Sequence, residues 1–133
     1  MKSNRFRFRG LIFAIVMIFG EQLAANAEVV SQISDKLTGA RTVKSFSLPL
    51  GISYPGERMD ISVETQGNGN NQLTVKVQYT DGFGWITLEQ LIIPAGATRH
   101  GTFVVPAGKT IRLRFSRTAA TRKIVFDTTI RED

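Results

Sequence analysis

The stretch Gln72-Leu73-Thr74-Val75-Lys76-Val77-Gln78-Tyr79-Thr80 decides the fold class. Leu73, Val75, Val77 and Tyr79 fall on one side of an extended chain. Gln72, Thr74, Lys76, Gln78 and Thr80 fall on the other. A period of two is the signature of a β-strand, with one face on a core and one in water.

The same alternation recurs on both sides of it. Phe46, Leu48 and Leu50 alternate with Ser45, Ser47 and Pro49. Met59, Ile61 and Val63 alternate with Arg58, Asp60, Ser62 and Glu64. Ile86 and Leu88 alternate with Trp85, Thr87 and Glu89, and Thr102 to Val105 is a short β-prone run. Ile111, Leu113 and Phe115 alternate with Arg112, Arg114 and Ser116. Ile124, Phe126 and Ile130 share a face opposite Lys123, Asp127, Thr129 and Arg131. Val29 to Leu37 reads as a first strand or a short helix, since Asp35 and Lys36 interrupt it. Few stretches repeat at helical spacing.

Turn residues separate these runs. Gly67 to Asn71 reads as a flexible hairpin loop and Asp81-Gly82-Phe83-Gly84 as a second reversal. Pro55-Gly56, Pro94-Ala95-Gly96 and Pro106-Ala107-Gly108 are turn signals. The last two belong to an echo, Ile93-Pro94-Ala95-Gly96-Ala97-Thr98 returning as Val105-Pro106-Ala107-Gly108-Lys109-Thr110. Two copies make no array, and they read as two hairpin corners built alike. About eight strands punctuated in this way predict an all-β fold, an antiparallel β-sandwich of jelly-roll type. The alternative is an immunoglobulin-like sandwich.

Residues 1–27 read as a cleaved secretory signal peptide. Lys2, Arg5, Arg7 and Arg9 precede the apolar run Leu11 to Phe19, and small residues end the segment at Ala25-Asn26-Ala27. The run stops at Gly20, well short of the roughly 20 apolar residues of a spanning helix. Residues 28–133 then form a single domain, secreted, or periplasmic if the source is Gram-negative. The leader holds four of the 17 basic residues and one of the 11 acidic ones, which lowers the net charge from +6 to +3. That mild excess argues against nucleic acid as a partner and permits attraction to anionic surfaces. The chain has no cysteine, which removes disulfides, thiolate metal sites and thiol catalysis.

The residues offer little chemistry. His100 is the one histidine and lies beside Arg99. No Gly-x-Ser-x-Gly elbow accompanies it, so it reads as a surface or edge residue. One histidine without cysteine supplies no zinc site. Calcium needs only oxygens, which Asp60, Glu64, Asp81 and the Asn68 to Asn71 loop contain, yet no Asp-rich calcium loop is present. Glu57, Asp60, Glu64 and Glu89 are carboxylates by type only, with nothing to mark a glycosidase pair. No catalytic residue, metal site or cofactor is assigned.

Two features suggest binding. Arg112, Arg114, Arg117, Arg122 and Lys123 place five positive charges within twelve residues with no acid among them. Such a patch suits anionic sugars, wall polymers or lipid headgroups. Its plain alternative is a sheet edge protected from aggregation by outward charge. Phe83 and Trp85 flank Gly84, and Trp85 falls on the polar side of its strand. An exposed Trp there would stack on a sugar ring or sit at a membrane interface. The alternative is that it packs into one end of the core.

Phe46-Ser47-Leu48-Pro49-Leu50-Gly51, Leu73-Thr74-Val75-Lys76-Val77 and Val105-Pro106-Ala107-Gly108 before Ile111-Arg112-Leu113 resemble the small β-sandwiches appended to secreted bacterial enzymes. These include carbohydrate-binding and pre-peptidase C-terminal-like modules. The resemblance implies a fold and a setting, and it transfers no functional residue. The expected function is a non-catalytic secreted binding module for a polysaccharide or anionic surface polymer, with a membrane surface as a further partner. The alternatives are a structural or protein-interaction component (matrix, coat or inhibitor) and a membrane-active, toxin-like sandwich.

Overall fold

The computed structural model describes residues 28–39, 41–67, 71–117 and 122–133. The signal-peptide expectation lies outside them. The elements are β1 (Val29–Leu37), β2 (Val43–Leu48), a single helical turn α1 (Leu50–Ser53), β3 (Arg58–Gln66), β4 (Gln72–Thr80), β5 (Trp85–Pro94), β6 (Thr98–Val104), β7 (Ile111–Ser116) and β8 (Ile124–Glu132). They form two four-stranded antiparallel sheets. The first sheet has the order β1-β8-β3-β6 and the second β2-β7-β4-β5.

The pairing follows one rule. β4 pairs β5, β3 pairs β6, β2 pairs β7 and β1 pairs β8. The chain is therefore one long hairpin doubled back at Asp81–Gly84 and rolled up, so that β3 meets β8 and β4 meets β7. This is the jelly roll, and the predicted fold class holds. β1 is strand throughout. Its awkward Asp35 is satisfied by an ion pair with Lys44 of β2 at 2.9 Å, which ties the two sheets along one open edge.

Alternation delivers the core. Met59, Ile61 and Val63 of β3, Leu73, Val75 and Val77 of β4, Ile111, Leu113 and Phe115 of β7, and Ile124, Phe126 and Ile130 of β8 are all buried. Phe115 and Phe126 join the sheets at the centre, stacked with centroids 4.2 Å apart. Phe46 meets Phe115 edge-on at 5.7 Å. Each such side chain contributes about 1.5–3 kcal/mol on burial, which lets the sandwich stand without disulfides.

Three expectations about connections change. β3 and β4 belong to different sheets, so no hairpin joins them at Gly67 to Asn71, of which residues 68–70 lie outside the described residues. The two Pro-Ala-Gly corners likewise carry the chain between sheets, from β5 to β6 and from β6 to β7. Each closes with the same bond, Ala97 N–H to the Pro94 carbonyl and Lys109 N–H to the Pro106 carbonyl, both 3.2 Å. Pro occupies the first corner of each turn, and Gly96 and Gly108 take the left-handed conformation at the third. Leu50, expected to continue a strand, instead opens α1. Gly51 there approaches the backbone of Lys109 so closely that a Cβ would lie 2.3 Å from its nitrogen and oxygen.

β5 departs furthest from its alternation. Thr87 pairs Gln78 and Glu89 pairs Val77, so Leu88 is an extra residue. A bulge of this kind turns every later side chain to the opposite face. Glu89, expected outside, swings to the inner side, where Oε2 accepts the Thr102 N–H of β6 at 3.1 Å. Gly101 leaves it room, since a Cβ there would stand 2.6 Å from that oxygen. Glu89 thus links the sheets along the second open edge. Ile86, expected inside, is 38% exposed beyond the end of the core.

Candidate functional site

The outer face of the second sheet can be read row by row from its register. Ser47, Arg112, Gln78 and Thr87 make one row across β2, β7, β4 and β5. Ser45, Arg114, Lys76 and Gln90 make the next, and Val43, Ser116, Thr74 and Ile92 the third. These rows hold three cations, hydroxyls and amides, and no carboxylate. The outer face of the first sheet differs, carrying Asp60, Glu64 and Asp127 among Arg58, Lys36 and Arg131.

Trp85 lies above the first row, opposite Thr80. The Arg112 guanidinium carbon sits 3.6 Å from the centroid of its ring, so the cation covers one ring face. The two residues belong to β5 and β7, two strand spacings apart, or about 10 Å. They meet only by leaning toward each other over β4. Arg112 is held from beneath, since Nε and Nη2 both donate to Gln78 Oε1 at 3.1 and 2.7 Å. Gln78 Nε2 in turn donates to Thr87 Oγ1 at 3.0 Å. Burial in this stack, with the neighbouring Arg114 charge adding to it, pulls the Arg112 guanidinium below its ordinary pKa. Trp85 remains 48% exposed. The ring therefore meets Arg112 on one face and keeps about half of the residue's surface in solvent.

Phe83 stands 98% exposed at the tip of the β4–β5 turn. The turn is set by the Phe83 N–H on Asp81 Oδ1 at 2.9 Å, the Gly82 N–H on Thr80 Oγ1 at 3.0 Å and the left-handed Gly82.

The fold divides the basic cluster. Arg112 and Arg114 stand on the described face. Arg117 is buried and does not join them. Its guanidinium donates to the carbonyls of Arg41 at 3.1 Å, Gly39 at 3.0 Å and Arg122. It fastens the β1–β2 connection to the start of β8. Arg122 and Lys123 are exposed at the end of the sandwich away from Trp85, where they line a hollow of about 400 Å³ with Gln66, Gly67 and Val125. His100 is exposed on edge strand β6, opposite Ser62. Of the calcium candidates, Asp60 and Glu64 lie on the first sheet and Asp81 at the β4–β5 turn, while residues 68–70 lie outside the described residues. Among the described residues no three acidic or histidine side chains form a metal-binding group.

Sequence reasoning missed Lys76, Gln78 and Gln90. Lys76 and Gln78 sit on the polar side of their run, whereas Gln90 continues the Ile86 and Leu88 side and is turned outward only by the bulge; the β4–β7 and β4–β5 registers then bring all three beside Arg112 and Arg114.

The chain matches no family model and no curated protein. Among solved structures it is similar to a mitogen derived from Yersinia pseudotuberculosis, at TM-score 0.55 and 10% identity over 80% of this chain and 86% of that one. It is also similar to a CBM4 carbohydrate-binding module, at TM-score 0.55 and 15% identity over 80% and 78% of the two chains. A protein of Broad Bean Stain Virus gives TM-score 0.55 and 11% identity over 88% and 91%. At such identities the likeness shows the β-sandwich fold alone.

Proposed function

We propose that this chain is a non-catalytic binding module for extracellular polysaccharide, and that the sugar lies on the outer face of the second sheet. The observation that carries the reading is the Trp85 ring, stacked on Arg112 and still 48% exposed, beside rows of hydroxyls and amides. A flat apolar ring matches the C–H face of a pyranose, and the hydroxyls and amides match its rim. Holding the ring in place beforehand removes part of the entropy cost of binding. Export by removal of residues 1–27, and residues 28–133 acting as one domain, belong to the same proposal. The likeness to a carbohydrate-binding module supports it at the level of fold.

Trp85 is the only tryptophan, so intrinsic fluorescence reads this site directly. Titration with soluble oligosaccharides should shift or quench its emission, and Trp85→Ala should lose retention on polysaccharide affinity gels. No emission change together with no retention of the parent protein rejects the reading.

One observation favours a second reading. Phe83 at 98% on the β4–β5 turn, with Trp85 and Ile86 at the start of β5, exposes apolar side chains at one end of the sandwich, which suits insertion at a membrane interface. Co-sedimentation with anionic vesicles that is abolished by Phe83→Ser and insensitive to sugar would favour it.

A further inference from the structure

The outward arginines of β7 are not guarding an edge. β7 pairs with β2 on one side and β4 on the other, so its backbone is fully paired and needs no protection. Lys76 lies directly opposite Arg114, and Arg112 stands two residues further along β7, about 7 Å away. Like charges on facing positions of neighbouring strands destabilise a sheet. Among the described residues none of the three forms an ion pair, and no carboxylate shares their rows. Lys76 and Arg114 therefore repel each other across the sheet, and no acid in their rows offsets them.

We infer that the sugar bound here is an acidic polysaccharide, whose carboxylate or sulfate groups are taken by Arg112, Arg114 and Lys76 while one of its rings rests on Trp85. This deepens the glycan-binding proposal and rests on it. Charge complementarity selects the ligand, because this face offers an anion three cations and no repelling acid. The first sheet, with Asp60, Glu64 and Asp127, does not. Arg112 is already positioned by its two bonds to Gln78 Oε1, which leaves Nη1 free to donate to an oxyanion. Lys76 and Arg114 supply charge at the next row along the sheet.

The test compares four probes on the purified full chain, followed by Trp85 emission and calorimetry: a hexagalacturonate, a heparin hexasaccharide, xylohexaose and inorganic polyphosphate. The expectation is that an acidic hexasaccharide binds at least tenfold tighter than xylohexaose and weakens as salt rises. Whether the hexagalacturonate or the heparin fragment wins distinguishes carboxylate from sulfate. Arg114→Gln and Lys76→Gln should each weaken the acidic sugar about fivefold, a clearly larger loss than for xylohexaose. Their thermal midpoints should hold or rise, which a structural role for these charges would not produce. Equal affinity for xylohexaose and the acidic sugars overturns the inference while leaving the glycan-binding proposal standing. Binding of polyphosphate as tight as the acidic sugars, unaffected by Trp85→Ala, overturns it in favour of plain ion exchange. No binding of any sugar overturns both.

Discussion

Arg117 offers the sharpest separation between charges that hold the fold and charges that face outward. Its guanidinium donates to Gly39, Arg41 and Arg122 carbonyls from a site only 5% exposed. Replacing it by Met keeps much of the apolar stem and removes all donors. The Arg122 carbonyl keeps the Asn71 amide at 3.0 Å. The Gly39 and Arg41 carbonyls lose their charged partner, at about 1–2.5 kcal/mol each. The expected loss is therefore about 2–5 kcal/mol, a large share of the roughly 5–15 kcal/mol that holds a domain folded. Arg117→Lys should lose most of this too, because an ammonium lacks the planar fork that spans three carbonyls. Urea unfolding followed by Trp85 fluorescence measures the difference, and at a slope near 2 kcal/mol per molar the midpoint should fall by about 1–2.5 M. Folded Arg117→Met should still bind the same sugars as the parent. The reasoning is refuted if Arg117→Lys unfolds within about 0.5 kcal/mol of the parent. It is equally refuted if Arg117→Met keeps its stability and loses binding.

Other contacts give further expectations. Gly51→Ala would place a Cβ 2.3 Å from the Lys109 backbone, which cannot yield locally, so a loss of about 3 kcal/mol or more should appear in thermal unfolding. Gly101→Ala meets the flexible end of Glu89 instead, and should cost only about 1–2 kcal/mol as the Thr102 N–H loses its acceptor. The Lys44 hydrogen bond holds the Asp35 carboxyl below its ordinary value, so its stabilisation is present above the unfolded pKa of about 3.9 and is lost as pH falls through the folded one. Asp35→Asn should therefore melt lower than the parent at pH 7, by about 0.5 kcal/mol for this partly exposed pair, and the difference should shrink as pH falls below the unfolded value.

The strands were legible because their signal is local. A run such as Ile111 to Ser116 announces its two faces within six residues, whatever lies beside it. The bulge at Leu88 was not legible, because an extra residue shows only against a partner, and Glu89 reads as an ordinary outward carboxylate until Val77 is set beside it. The basic cluster failed in a similar way. Closeness in sequence joined Arg112 to Arg117, Arg122 and Lys123, while the fold sends Arg117 inside and the last two to the far end. Its true companion Lys76 lies 38 residues from Arg114 in the chain and directly opposite it in the sheet.

By itself the sequence determined an all-β chain, about eight strands, its turn residues and, outside β5, which side chains face the core. These follow from a two-residue period and from the conformations that Gly and Pro permit. Only the tertiary structure decided which strands are neighbours, and with that the acid-free cationic face, the covered side of Trp85 and the structural use of Arg117. Strand pairing is a contest among long-range contacts, with β1 and β8 joined across 93 residues at Ser34 and Asp127. No local period carries that information.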